Sequence, residues 1–202
     1  MGKGKGEKMK KIKKKKRIIE AALKLFSTYG FHGTTMMDIT KSLGMSAGNI
    51  YTYFPSKKSL AKSAIMYVSK LLTIELQMIN SQLISPQEKI ISFVKIYLTF
   101  LEENPEHIHY FMRVYLANRE IFCEEETCAF ALAEGFIGEI RILVDNGIAS
   151  DAFVEQDFCI SLATIVGILG GITFLKSEGV LASDLDSYAS DLAKSINKAL
   201  SI

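Results

Sequence analysis

From Thr35 to Phe54 two short helical stretches abut across one break, Gly44-Met45-Ser46. Thr35 and Asp38 hold the spacing of a capping box, with Asp in place of the usual Glu or Gln, and so mark a helix start. That helix runs to Leu43, and Gly44 follows where the chain needs a backbone conformation that other residues resist. Ser46 can cap the next helix, which extends to about Phe54, and Pro55-Ser56 restarts the chain with Ser56 as the N-cap of a fourth. Upstream, Ile18, Ala22 and Phe26 recur at i, i+4 and i+8, with Ile19, Leu23 and Tyr29 widening the stripe. They predict a first helix from about Lys10 that Gly30 stops. Three short helices followed by a longer one, with a glycine-centred break between the second and third, is helix-turn-helix grammar.

Charge is divided along the chain in the same sense. The net charge of +2 conceals fifteen Lys/Arg against three acids in residues 1–62, a net +12, and a net −10 in residues 63–202. One end is suited to a polyanion and the other is not. Hydrophobic residues at 49% and charged residues at 23% exclude a disordered chain. Residues 1–9 form a Gly/Lys tract expected to be a flexible basic tail. Lys10, Lys11, Lys13 to Lys16 and Arg17 then make a basic arm beside the motif. Such a run is either a solvated face or an arm that tracks a DNA backbone or enters a minor groove, and its place beside the motif favours DNA.

Within the motif, Ile39, Leu43, Ile50 and Phe54 can pack on Leu23 and Phe26, which leaves Ala47, Gly48, Asn49 and Tyr51 facing outward. Small residues at this tip let a helix approach base edges, and Asn49 offers both a donor and an acceptor to the major groove. Thr35, Ser46, Tyr51, Tyr53 and Lys57 can bond phosphates, which fixes register without reading sequence. Phe54 is expected in the core, whereas the hydroxyls of Tyr51 and Tyr53 are expected on the basic face.

The run Ser46-Ala47-Gly48-Asn49-Ile50-Tyr51-Thr52-Tyr53-Phe54-Pro55-Ser56-Lys57-Lys58-Ser59-Leu60, with Thr34-Thr35 and Ile39 before it, resembles the signature of TetR-type repressors. The resemblance covers roughly residues 12–62 and departs mildly at Thr40, where Ala is usual, and at Met45, where Val is usual. It implies a homodimer that binds a near-palindromic DNA operator and releases it when a small-molecule effector enters the C-terminal domain. It further implies that Met37 can face bases from the second helix and that Lys57 meets the DNA backbone at the start of the fourth.

The rest of the chain reads as helices throughout. The fourth keeps helical spacing through Leu60, Ala64, Val68, Leu71, Glu75 and Ile79 with no Gly or Pro before Pro86, and is expected to act as a rigid connector. Others follow at about 86–103, 105–117, 120–145, 155–178 and 184–200, broken at Pro86, Asn104-Pro105, Asn146-Gly147 and Gly179. The expected fold class is all-α, with an N-terminal helix-turn-helix domain over residues 10–55 and a C-terminal helical effector-binding and dimerisation domain over 56–202. Aromatic stripes on these helices are ordinarily core, but the resemblance places an effector cavity among them. Candidate walls are Phe93, Tyr97, Phe111, Met112, Tyr115 and Phe136, with Arg113 a weak polar end, for a mostly apolar ligand.

Residues 158–175 hold eighteen consecutive uncharged residues, with GxxxG spacing at Gly167 and Gly171, and so pass the length test for a membrane span. Ser161, Thr164 and Thr173 lower its hydrophobicity, no second such segment exists, and an all-round apolar helix also suits a protein core. In TetR-like proteins the last two helices pair with their symmetry mates, which implies a dimer face carrying Ala163, Gly167, Gly170, Gly171, Phe174 and Leu192 and no membrane contact. Metal, cofactor and enzyme readings are poor. His107 and His109 splay apart on a helix, and Cys123 and Cys128 lack partners at zinc spacing. No nucleophile elbow or phosphate-cradling glycine loop is present. Three cysteines and no secretory signal suggest a reducing cytoplasm. The competing reading is a small-molecule-binding or membrane-associated helical protein that keeps a vestigial DNA-binding head.

Overall fold

The computed structural model describes residues 3–111, 114, 118–122 and 129–201. Its helices are α1 (Lys3–Tyr29), α2 (Met36–Ser42), α3 (Ala47–Tyr51), α4 (Lys57–Asn80), α5 (Pro86–Glu103), α6 (Pro105–Tyr110), α7 (Arg119–Phe122), α8 (Glu134–Ala149), α9 (Phe158–Ser177) and α10 (Ala189–Leu200). Short 3-10 segments lie at Ala129–Ala133 and Leu185–Tyr188. Among the described residues there is no strand, and the fold is all-α. The chain divides into two compact units, one of residues 1–68 and 109–132, the other of residues 69–108 and 133–202.

The first unit is built on α1. Its stripe of Ile18, Ala22, Leu23 and Phe26 is fully buried, as are Ile39 of α2, Ile50 of α3, Phe54, and Leu60 and Ala64 of α4. Truncating any of the larger of these to Ala costs about 2–5 kcal/mol. Tyr29, read as part of the same stripe, is instead 64% exposed, because α1 ends there. Leu43 is only half-buried, at the mouth of the turn. Tyr110 closes the core from the far end of the unit: it stacks on Phe26 with ring centroids 5.7 Å apart, and its hydroxyl donates to the Ala61 carbonyl at 2.9 Å. Burial pushes that phenol well above its usual range, so it remains a hydrogen-bond donor.

The second unit is centred on α5, whose Phe93, Val94, Tyr97, Leu98 and Leu101 are buried. Ser85 and Glu88 form a capping box at its start, with Pro86 just inside. Around it pack α8, α9 and α10. Lys89 is buried, and its ammonium donates at 2.9 Å to the carbonyl of Asn80, at the end of α4, satisfying one of that helix's orphan carbonyls.

Three stretches depart from the sequence reading. The helix expected from Lys10 begins at Lys3, so the Gly/Lys tract continues α1. The helix expected over 120–145 is divided into α7, a 3-10 segment and α8. Asn146-Gly147, read as a break, lies inside α8, which runs on to Ala149. Gly147 is there for clearance: a Cβ at that position would run into the ring of the buried Phe153.

Candidate nucleic-acid interface

The turn between α2 and α3 is closed by backbone chemistry. Gly44 adopts φ +62, its N–H donates to Lys41 O at 3.1 Å, and the next N–H, of Met45, reaches Thr40 O at 2.9 Å. This is the Schellman pattern, which needs a left-handed residue at the helix exit. At the entry of α2 the capping box is complete: Asp38 N donates to Thr35 Oγ1 at 3.1 Å and Thr35 N to an Asp38 carboxylate oxygen at 2.9 Å. Hydrogen bonds from the Thr35 side chain, then its backbone, hold the Asp38 carboxyl below the usual range. The Ser56 hydroxyl accepts from Ser59 N at 3.0 Å, as expected of the α4 cap.

α3 is shorter than the sequence suggests and ends at Tyr51. Ser46 occupies its N-cap position, yet its side chain makes no cap hydrogen bond. Ala47 is the first helical residue. Gly48 is exposed, and a methyl there would meet nothing within 4 Å. Asn49 is half-buried, with its carbonyl accepting from the Thr52 hydroxyl at 2.7 Å. Tyr51 is 53% exposed and Met37, on α2, 55%. Tyr53 is half-buried, with the Lys14 ammonium 5.8 Å from its ring centroid, while Lys15 lies 5.2 Å from the ring of Phe54. The basic arm of α1 therefore lies against the aromatic residues that follow α3, which sequence spacing alone does not reveal.

Lys57, at the start of α4, is held by two backbone carbonyls. Its ammonium donates to the carbonyls of Phe31 and Thr34, both at 2.8 Å, and stands 4.3 Å from the Phe31 ring centroid. Desolvation lowers its pKa. Neither partner is visible in the motif, because both lie more than twenty residues upstream.

Of the residues named for an effector pocket, Phe93 and Tyr97 are buried and Phe136 half-buried. They touch as rings in the second unit, at 6.5 Å for Phe93–Tyr97 and 6.0 Å for Phe93–Phe136. Phe111 belongs to the first unit. Met112, Arg113, Tyr115, Cys123 and Cys128 lie outside the described residues. On α9, Ala163, Gly167, Gly171 and Phe174 are exposed, with Ile160 at i−3 to Ala163 extending the same face, whereas Gly170 and Leu192 are half-buried. The opposite face of α9, with Leu162, Ile165, Leu169 and Ile172, is buried in the second unit's core. α9 is long and apolar enough to cross a membrane by length and composition alone.

The model of the bacterial regulatory proteins of the tetR family matches residues 18–64. The HTH-type transcriptional regulator RutR of Escherichia coli K12 is 28% identical over 133 residues, which is 66% of this chain and 58% of RutR, less than two thirds of that protein's length. Among solved structures, a TetR family regulator from Marinobacter aquaeolei VT8 superposes with a TM-score of 0.78 at 17% identity, covering 96% of this chain and 98% of that one. FadR from Bacillus subtilis, crystallised in complex with stearoyl-CoA, gives 0.75 at 15% identity over 91% of this chain and 98% of FadR.

Proposed function

We propose that the chain, whose residues 18–64 match the model of the tetR family, is a TetR-type transcriptional regulator that acts as a repressor, binding a palindromic DNA operator as a homodimer and leaving it when a small, mostly apolar effector binds. The observation that carries this reading is the tip of α3. Gly48 costs a helix about 1 kcal/mol relative to Ala, and nothing inside the protein requires its small size. Its use lies outside, where a bare backbone lets Asn49 and Tyr51 approach a duplex groove. Lysine-rich α1, in a segment of net +12, supplies the counter-charge.

In this reading Asn49 pairs with a base edge, and Ala47 and Gly48 give clearance. Thr35, Ser46, Tyr51 and Tyr53 are the motif's phosphate-side residues, and Met37 touches bases or sugar from α2. Ser46 suits this role, because its hydroxyl is not consumed as a cap. Two copies present two α3 tips, separated by roughly 34–36 Å for half-sites one turn apart. The exposed face of α9 at Ile160, Ala163, Gly167, Gly171 and Phe174 is continuous and apolar, and a second copy of α9 covers it. Phe93, Tyr97 and Phe136 would line the effector's route into the second unit. Such a protein works in the cytoplasm.

Selection of bound duplex from a random pool tests the reading. The recovered site should be an inverted repeat, with affinity falling in salt by a log–log slope near −0.9 per phosphate contacted. Asn49→Ala should change the preferred base at one position of each half-site, by about 1–3 kcal/mol of discrimination. Tyr51→Phe should weaken all sequences alike. Recovery of no consensus, with the chain floating instead on anionic vesicles, would favour the membrane-associated alternative.

A further inference from the structure

Lys57 is the first residue of α4, where the helix dipole disfavours a cation. Its side chain turns away from that end, with two N–H groups on the Phe31 and Thr34 carbonyls and its charge over the Phe31 ring. Both carbonyls belong to the connection between α1 and α2. They follow the left-handed turn at Gly30 (φ +74), and Phe31 O also receives a long bond from Thr34 N at 3.4 Å. The Thr34 hydroxyl fastens the near side of the same connection, donating to Gly30 O at 2.9 Å. The next residue is Thr35, the cap on which α2 begins.

Resting on the reading of α2 and α3 as the DNA-reading head, we propose that Lys57 is a positioning residue whose ammonium clamps the Phe31–Thr34 connection to the start of α4 and so fixes the entry of α2, rather than a phosphate contact. An ammonium whose donors are held by two protein carbonyls does not extend to a phosphate, and so displaces no counterion from it when DNA arrives. The clamp therefore contributes to affinity at every ionic strength equally. It also demands a compact cation: three donors on one nitrogen can converge on two carbonyls beneath a ring, and a planar guanidinium fork cannot.

The test uses the full chain and a duplex recovered by selection. Lys57→Met should lower affinity about tenfold or more, as expected for lost charge-assisted hydrogen bonds, with the log–log salt slope unchanged. Lys57→Arg should fail to restore it, and amide hydrogen exchange should quicken over residues 31–36 in both variants. A slope shallower by about 0.9, with rescue by Arg, is the signature of a phosphate contact and overturns the proposal. Acetylation of the unsubstituted protein gives a measurement that survives a misfolded variant. Lys57 should react far more slowly than exposed Lys41 with no DNA present. Equal rates in the free protein, with protection of Lys57 appearing only on adding duplex, overturn the clamp. If the parent chain binds no duplex, the regulatory reading fails, while the acetylation result still decides the role of Lys57.

Discussion

The hydroxyl of Tyr97 lies 2.6 Å from that of Thr173, joining the middle of α5 to the buried face of α9. Thr173 donates onward to the Leu169 carbonyl at 2.8 Å, so its oxygen accepts from the phenol. Burial pushes the Tyr97 phenol up to about 12, and it holds its proton throughout the physiological range. Tyr97→Phe leaves Thr173 with its carbonyl acceptor and creates no orphaned donor. The expected loss is therefore about 0.5–1.5 kcal/mol, read as a lower urea midpoint with an unchanged slope.

Gly147→Ala should cost more, although it is the smaller chemical change. The added methyl would meet the Phe153 ring, and Phe153 is tied in place because its N–H donates to Gly147 O at 3.1 Å. Overpacking of this kind costs about 1–3 kcal/mol. A Gly147→Ala, Phe153→Leu double variant should recover part of that loss, and thermal unfolding of all three proteins measures the coupling.

On α9 the expected effect of glycine replacement is opposite in sign within one chain. A methyl at Gly167 or Gly171 would meet nothing within 4 Å, and both sites are exposed. Gly167→Leu with Gly171→Leu should leave the subunit folded and its helix intrinsically stronger by up to about 1 kcal/mol per site. The same bulk would hold two copies of α9 apart. Sedimentation should give a dimer for the parent and a monomer for the variant, and a variant dimer would remove this face from the interface.

The capping box of α2 makes stability depend on pH. The folded state favours the charged Asp38 carboxylate, and an unfolded Asp titrates near 3.9. The stabilisation is thus fully present above that value and is lost as pH falls through the lower folded value. Glu88, held down by the Ser85 side chain and backbone, behaves likewise at the start of α5. Urea midpoints of the parent and Asp38→Ala should differ at pH 7 and converge as the pH approaches 2.

What the sequence made legible was local chemistry. Thr35 and Asp38 announce a helix start because each bonds the other's backbone, three residues away, and Gly44 announces the turn through its own φ. Those signals placed α2, α3 and the start of α4 with no knowledge of tertiary contacts. Gly147 was misread because a glycine that makes room for Phe153 looks, in sequence, like one that ends a helix. Tyr29 was misread because periodicity carried the apolar stripe past the last turn that has anything to pack against. The contacts of Lys57 with the Phe31 and Thr34 carbonyls leave no local pattern in the sequence, because both lie far upstream of its motif. The stripe of Phe93 and Tyr97 showed which residues meet, but a core and a ligand wall share that periodicity.

The first four turns of α1 have no acid in the opening turn and place lysines at 10 and 14 and at 11 and 15, each pair one turn apart. Repulsion along this row opposes helix formation there, and the helix dipole does the same at Lys3 and Lys5 in the opening turn. Neutralisation by an anionic polymer removes both penalties at once. Helix content at this end is consequently tied to whatever counterions surround it, and ordering it consumes part of the electrostatic gain on contact.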